Sequence, residues 1–179
     1  MKDALAIHRA LLEWETVHEI VRLPIALANA DELPAVLGLP PARCLVTRVY
    51  TCDDVHPGHR FLAGVIVRAG ERPEAEAVRV AAGARAVRPA QADVVNAVTE
   101  YAAGLVCPLL LPDDMLLLID QDIVDALPED DVVYTATGEA STALGIRLRT
   151  LHTLCQAKPV DLRHASPGPP AREPHHPAA

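Results

Sequence analysis

Ala103-Gly104-Leu105-Val106-Cys107-Pro108-Leu109 stands between a helical pattern and the apolar run Met115–Ile119. Gly104 admits backbone angles that other residues resist and lets a ligand approach the main chain closely. Pro108 fixes its own φ and biases Cys107 towards an extended shape. Amides between the two can converge on a carbonyl oxygen or a developing oxyanion. The same letters also describe a helix C-cap followed by a proline stop, so the rest of the chain decides between the two readings.

Outward from this bend, the chain alternates helical and β-rich runs. On its N-terminal side, Asp3 caps a helix to about Glu15 with Leu5, His8, Leu11 and Leu12 on one face. Thr16–Leu23 alternates as a strand and ends at Pro24. Asn29 and Glu32 sit at capping-box spacing before a helix to Leu37, closed by Gly38. Arg43–Tyr50 and Phe61–Val67 are strands, and the polar turn Asp53–His59 makes them a hairpin. Pro73–Ala82 is a helix stopped by Gly83, Arg85–Val87 a short strand, and Pro89–Glu100 a helix with Val94, Val95 and Val98 inward. On the C-terminal side, Met115–Ile119, Val132–Ala136 and Leu144–Leu148 are strands. A short helix or turn, Asp120–Leu127, follows the first of these, and Thr150–Cys155 is a last helix.

This order is neither a βαβ alternation nor all-β. It predicts an α+β fold: a curved mixed sheet of about six to seven strands surrounded by helices. One folded domain over residues 1–157 is expected, followed by a Pro/His-rich tail, 158–179. Residues 164–179 have too little apolar surface to fold, and His175 and His176 lie within them.

Composition narrows the function. Half of the 179 residues are hydrophobic but only 3% are aromatic, so Ala, Val and Leu build the core. A net charge of −8 excludes a strong non-specific DNA or RNA binder, yet permits a local basic patch for one RNA end. No apolar run is long enough to span a bilayer, and Met1-Lys2-Asp3 leads straight into an amphipathic pattern; a cytoplasmic protein without membrane contact is expected. Cys44, Cys52, Cys107 and Cys155 lack zinc or redox spacing and read as small buried hydrophobes, so no metal is expected. Lysine occurs only at Lys2 and Lys158.

Taken together and in order, several segments resemble the YbaK/EbsC family, which includes free-standing relatives of the editing domain of bacterial prolyl-tRNA synthetases. They are His18-Glu19-Ile20-Val21-Arg22-Leu23, Asn29–Glu32 through Leu37-Gly38-Leu39-Pro40-Pro41, the strand after that segment, Gly104–Pro108, and Val133-Tyr134-Thr135-Ala136-Thr137-Gly138. The resemblance covers about residues 3–155. It implies an aminoacyl-tRNA deacylase that hydrolyses the ester of mischarged aminoacyl-tRNA in trans, needing no cofactor. Its implied partner is the tRNA 3′ end; no residue points to a particular synthetase. The bend Gly104-Leu105-Val106-Cys107-Pro108 is then the wall of the aminoacyl pocket. Holding a reactive ester, polarising its carbonyl and admitting water suffices for hydrolysis.

One departure bears on activity. Relatives carry a lysine in the strand after the Leu-Gly segment, and the matching position here is Val46. Arg48 lies two residues on, on the same face, as the cationic candidate, although its fork is not equivalent to an ammonium. Gly104, Arg48 and Thr137 are the catalytic candidates. Val46, Thr47, Leu105, Val106, Cys107, Pro108, Gly138 and Ser141 are the substrate-binding ones. The second departure is Glu139–Leu144, which lacks the basic-Gly-Leu-Asp pattern of many relatives. The alternative to a deacylase is a module that binds aminoacyl-tRNA or an amino acid and has lost hydrolysis with the lysine.

Overall fold

The two β-rich runs flanking the His56–His59 turn pair along their whole length. β2 (Leu45–Asp53) and β3 (Arg60–Arg68) are antiparallel, with Leu45 opposite Arg68 and Asp53 opposite Arg60. Most of their residues are buried, as suits strands covered on both faces. β5 (Leu116–Asp120) adds parallel to β3, and β4 (Ala86–Pro89) adds antiparallel to the end of β2. A second sheet has β7 (Thr142–Arg147) between β1 (Glu19–Arg22) and β6 (Val132–Ala136), all antiparallel. An isolated parallel bridge, Cys44 to Tyr134, links the sheets. The computed structural model describes residues 1–163, so the expectation for 164–179, with His175 and His176, lies outside the described residues.

The helices are α1 (Ala4–Glu13), α2 (Leu33–Leu37), α3 (Ala75–Ala82), α4 (Ala92–Thr99), α5 (Gln121–Ala126) and α6 (Leu148–Cys155). The mixed α+β class matches expectation, but the strands number eight among the described residues and divide into two sheets. Lys158–Val160 forms β8, parallel to β5, and Leu162 is buried. The fold therefore passes the boundary expected at residue 157. Pro159 is tolerated because β8 is an edge strand.

Other differences are local. Asp3 caps α1 as expected, but the buried face is Ala4, Ile7 and Leu11, while Leu5 and Leu12 are exposed. In α4 only Val95 and Thr99 are buried; Val98 faces outward. The Asn29 side chain caps a 3-10 turn, Ala30–Glu32, and Glu32 accepts from Ala28 N–H instead of closing a capping box on Asn29.

The two edges of β2 are paired unequally. Ala69 N–H donates to Cys44 O on the β3 side, and Ala90 N–H donates to Val49 O on the β4 side, both at 2.9 Å. Alternate residues of an antiparallel strand aim both backbone groups at the same edge. Even-numbered residues of β2 therefore face β3, and odd-numbered ones face away. On that second edge β6 docks beside Leu45, through the Cys44–Tyr134 bridge, and β4 begins at Val49. Thr47 lies between them, with its N–H and C=O directed into the gap.

Candidate functional site

A cavity of about 320 Å³ opens at this gap. Val46, Thr47 and Arg48 of β2 line one side, and Ala103, Gly104 and Val106 line the other. The 29–31 turn, Arg72, the end of β4 and the face of α4 complete the wall. The bend and the strand singled out in the sequence thus meet across one hollow.

The bend is held from several directions. Gly104 adopts φ +82°, and its carbonyl accepts from Ala30 N–H at 2.8 Å. A Cβ on Gly104 would lie 3.3 Å from Asn29 Cβ, so the glycine allows both the left-handed backbone and the close docking of the 29–32 turn. Asn96 accepts from Ala103 N–H, and Tyr101 Oη donates to Leu109 O. Side chains beyond Gly104 diverge. Leu105 enters the apolar cluster of Leu27, Leu33 and Val46, Cys107 enters the main core with Leu45 and Tyr101, and Val106 faces the cavity. Leu105 N–H is spent on Ala102 O at 3.0 Å, whereas Val106 N–H has no hydrogen-bond partner among the described residues.

Arg48 is not an unpaired cation. Its guanidinium grips both Asp31 oxygens, at 2.8 and 3.1 Å, and Nε donates to Glu71 O at 2.8 Å. Gly70 N–H and Arg72 add to the same carboxylate, at 2.8 and 3.7 Å. Burial pushes the Asp31 carboxyl up, but the hydrogen bonds from Arg48 and Gly70 and the charges of Arg48 and Arg72 outweigh it and hold the carboxyl below its ordinary value. Arg48 therefore ties β2 to the 29–32 turn and to the 70–72 loop. Arg72, largely exposed at the cavity wall, is the cation in contact with solvent there. The sequence reading missed the roles of Arg72 and Asp31: Arg72 lies in no quoted segment, and Asp31, although within Asn29–Glu32, meets Arg48 only through packing across 17 positions.

Cys107 is fully buried, and burial above all pushes its thiol up to about 12. It is a packing residue with no access to the cavity. Pro108 lines a separate hollow beside Trp14 and Leu154. The structure does not bring Thr137, Gly138 or Ser141 to the cavity. Thr137 Oγ1 pairs with Thr142 Oγ1 at 2.7 Å, and Ser141 O accepts from Leu23 N–H. Gly138, at φ +91°, lets Lys2 and Tyr101 approach where a Cβ would clash. These residues shape the β6–β7 turn.

A larger hollow, about 580 Å³, lies over Thr51, Leu62, Val94, Val98 and Met115, with Arg60 and Arg88 at its rim. Both arginines are paired with Asp53, and none of the residues selected from the sequence lines this hollow. It is the larger of the two, but polar main chain and the glycine bend converge only at the β2 gap. Among the described residues, no group of three His, Cys, Asp or Glu side chains is placed to hold a metal ion.

The profile of the aminoacyl-tRNA editing domain family matches residues 26–154, a span that contains the entire cavity lining. No curated protein sequence matches the chain. Among solved structures, hypothetical protein APE2540 superposes with TM-score 0.71 at 20% identity, covering 87% of this chain and 97% of that one. A structure described as "a putative trans-editing enzyme for prolyl tRNA synthetase" superposes with TM-score 0.69 at 20% identity, covering 88% and 95%. At such identities these likenesses establish the fold.

Proposed function

The chain belongs to the aminoacyl-tRNA editing domain family, and from that premise we propose that it hydrolyses the ester of mischarged aminoacyl-tRNA in trans. The observation that carries this reading is the single cavity in which the Gly104 bend faces the open edge of β2. The aminoacyl end of tRNA enters there with its acyl group between Thr47 and Val106. Val106 N–H polarises the ester carbonyl. Water adds to the carbonyl carbon, the bond to the ribose oxygen breaks, and a proton from the water passes to that oxygen. The products are a free amino acid and an uncharged tRNA 3′ end. An ester is reactive enough for positioning and main-chain polarisation to drive this step.

Arg48 and Asp31 serve the reaction indirectly, by fixing the turn that closes the cavity. Arg72, exposed at the cavity wall, meets the terminal phosphates in this reading. The net charge of −8 disfavours broad RNA contact, so this reading limits the contact to the mouth of the cavity. The cytoplasm is the compartment this substrate requires.

A second reading, binding without hydrolysis, is favoured by one observation. Arg48 is committed to Asp31, and Val46, the position the resemblance matches to the lysine of relatives, lies in an apolar cluster. A panel of mischarged aminoacyl-tRNAs separates the two readings. Release of amino acid from at least one member above its spontaneous rate, lost on Gly104→Val, supports hydrolysis. Saturable binding without release supports the second reading, and neither response overturns both.

A further inference from the structure

Thr47 carries an unusual set of open valences. Its exposure is only 6%, yet Oγ1 has no hydrogen-bond partner among the described residues. Its N–H and C=O point to the edge of β2 that lies between the docking points of β6 and β4. The cavity opens at this residue. A buried hydroxyl without a partner is costly, so its retention where the strand ladder is also interrupted points to a ligand that completes both.

An aminoacyl group has the chemistry of one strand residue. It carries a nitrogen donor and a carbonyl acceptor on either side of a single carbon, the two groups that an antiparallel neighbour presents to one residue. Resting on the assignment of this cavity to the aminoacyl end of tRNA, we propose that Thr47 receives the aminoacyl group as the missing residue of the interrupted ladder. Its C=O and Oγ1 accept from the α-ammonium, and its N–H donates to the acyl carbonyl. The site is consequently selective for acyl groups with a free α-amino group, which classes its substrates as aminoacyl and not N-blocked or desamino esters. Thr47 joins Val106 in orienting the carbonyl, and its acceptors discriminate because a desamino ligand leaves them unpaired.

The test is a binding measurement that does not depend on turnover. A panel of 3′-aminoacylamino-3′-deoxyadenosines, whose amide resists hydrolysis, is titrated against the protein, followed by the desamino and N-acetyl twins of the tightest binder. The free-amino ligand is expected to bind at least about tenfold more tightly than either twin, the scale of one charge-assisted hydrogen bond. Thr47→Val keeps the side-chain shape and removes only the unpartnered hydroxyl. It is expected to be no less stable than the parent while the preference shrinks about threefold or more. Equal affinities for the three ligands, absence of binding across the panel, or an unchanged preference in T47V overturns the assignment. Deacylation with equal affinities leaves the hydrolase reading standing and removes Thr47 from it. Amino-selective binding without deacylation does the reverse.

Discussion

Replacing Arg48 with alanine separates a tether from a catalytic cation. The guanidinium makes two hydrogen bonds to Asp31 and one to Glu71 O, with side-chain exposures of 12% for Arg48 and 23% for Asp31. Breaking a fully buried pair costs about 3–5 kcal/mol. Residual solvent access, together with the Gly70 and Arg72 contacts that Asp31 retains, lowers this to about 2–3 kcal/mol. For a chain of this size that is a fall in Tm of roughly 4–12 °C. Arg48→Lys keeps the charge but loses the fork, and is expected to recover less than half. Denaturant unfolding of R48A, D31N and the double variant gives the coupling directly, expected at about 1.5–3 kcal/mol. The pH dependence has a fixed sign. The Asp31 carboxyl is lowered in the folded state, so its contribution is present above the ordinary carboxylate value of 3.8 and is lost as pH falls through the folded value below it. The stability gap between parent and D31N should therefore close in that acid range. An R48A protein within about 0.5 kcal/mol of the parent that nevertheless loses deacylation would refute the tether and return Arg48 to the chemistry.

Gly104→Ala places a side chain at φ +82° and 3.3 Å from Asn29 Cβ, so a stability loss of about 1–3 kcal/mol is expected in denaturant unfolding, with a larger loss of deacylation. Cys107→Ser is expected to leave pH-dependent turnover unchanged in shape, and the native thiol should resist alkylation until unfolding, because it is buried and held protonated; rapid labelling in native conditions would contradict this. Truncation after Ala157 removes β8 and uncovers the site of Leu162. It should cost at least about 2 kcal/mol by thermal or denaturant unfolding, whereas an unaltered Tm would mean that the domain ends where the sequence pattern does.

What the sequence disclosed tracks the range of the forces involved. The β2–β3 hairpin was legible because both strands are runs rich in β-branched and apolar residues with a polar turn between them. The caps at Asp3, Gly38 and Gly83 were legible because capping is local chemistry. The rotation of α1 was not, since Leu5 and Leu12 satisfy helical periodicity as well as Ile7 does and only the facing sheet chooses between them. β8 escaped because three residues containing a proline resemble a strand only once β5 offers an edge. At the site, Val46, Thr47, Arg48, Gly104 and Val106 were found because a strand and a glycine bend are visible in one dimension. The commitment of Arg48 to Asp31 spans 17 positions and leaves no local trace. The isolation of Thr47 on its edge depends on where β4 and β6 stop, which is a property of the assembled sheets.

The central claim, that an acylated nucleotide end seats against the open edge of β2, is tested most directly by amide chemical-shift mapping on the labelled protein with a 3′-aminoacylamino-3′-deoxyadenosine. The largest shifts should fall on Thr47, Gly104 and Val106, with Thr137–Ser141 unmoved. Shifts centred instead on Thr51, Leu62 and Val98, or on the β6–β7 turn, would contradict it.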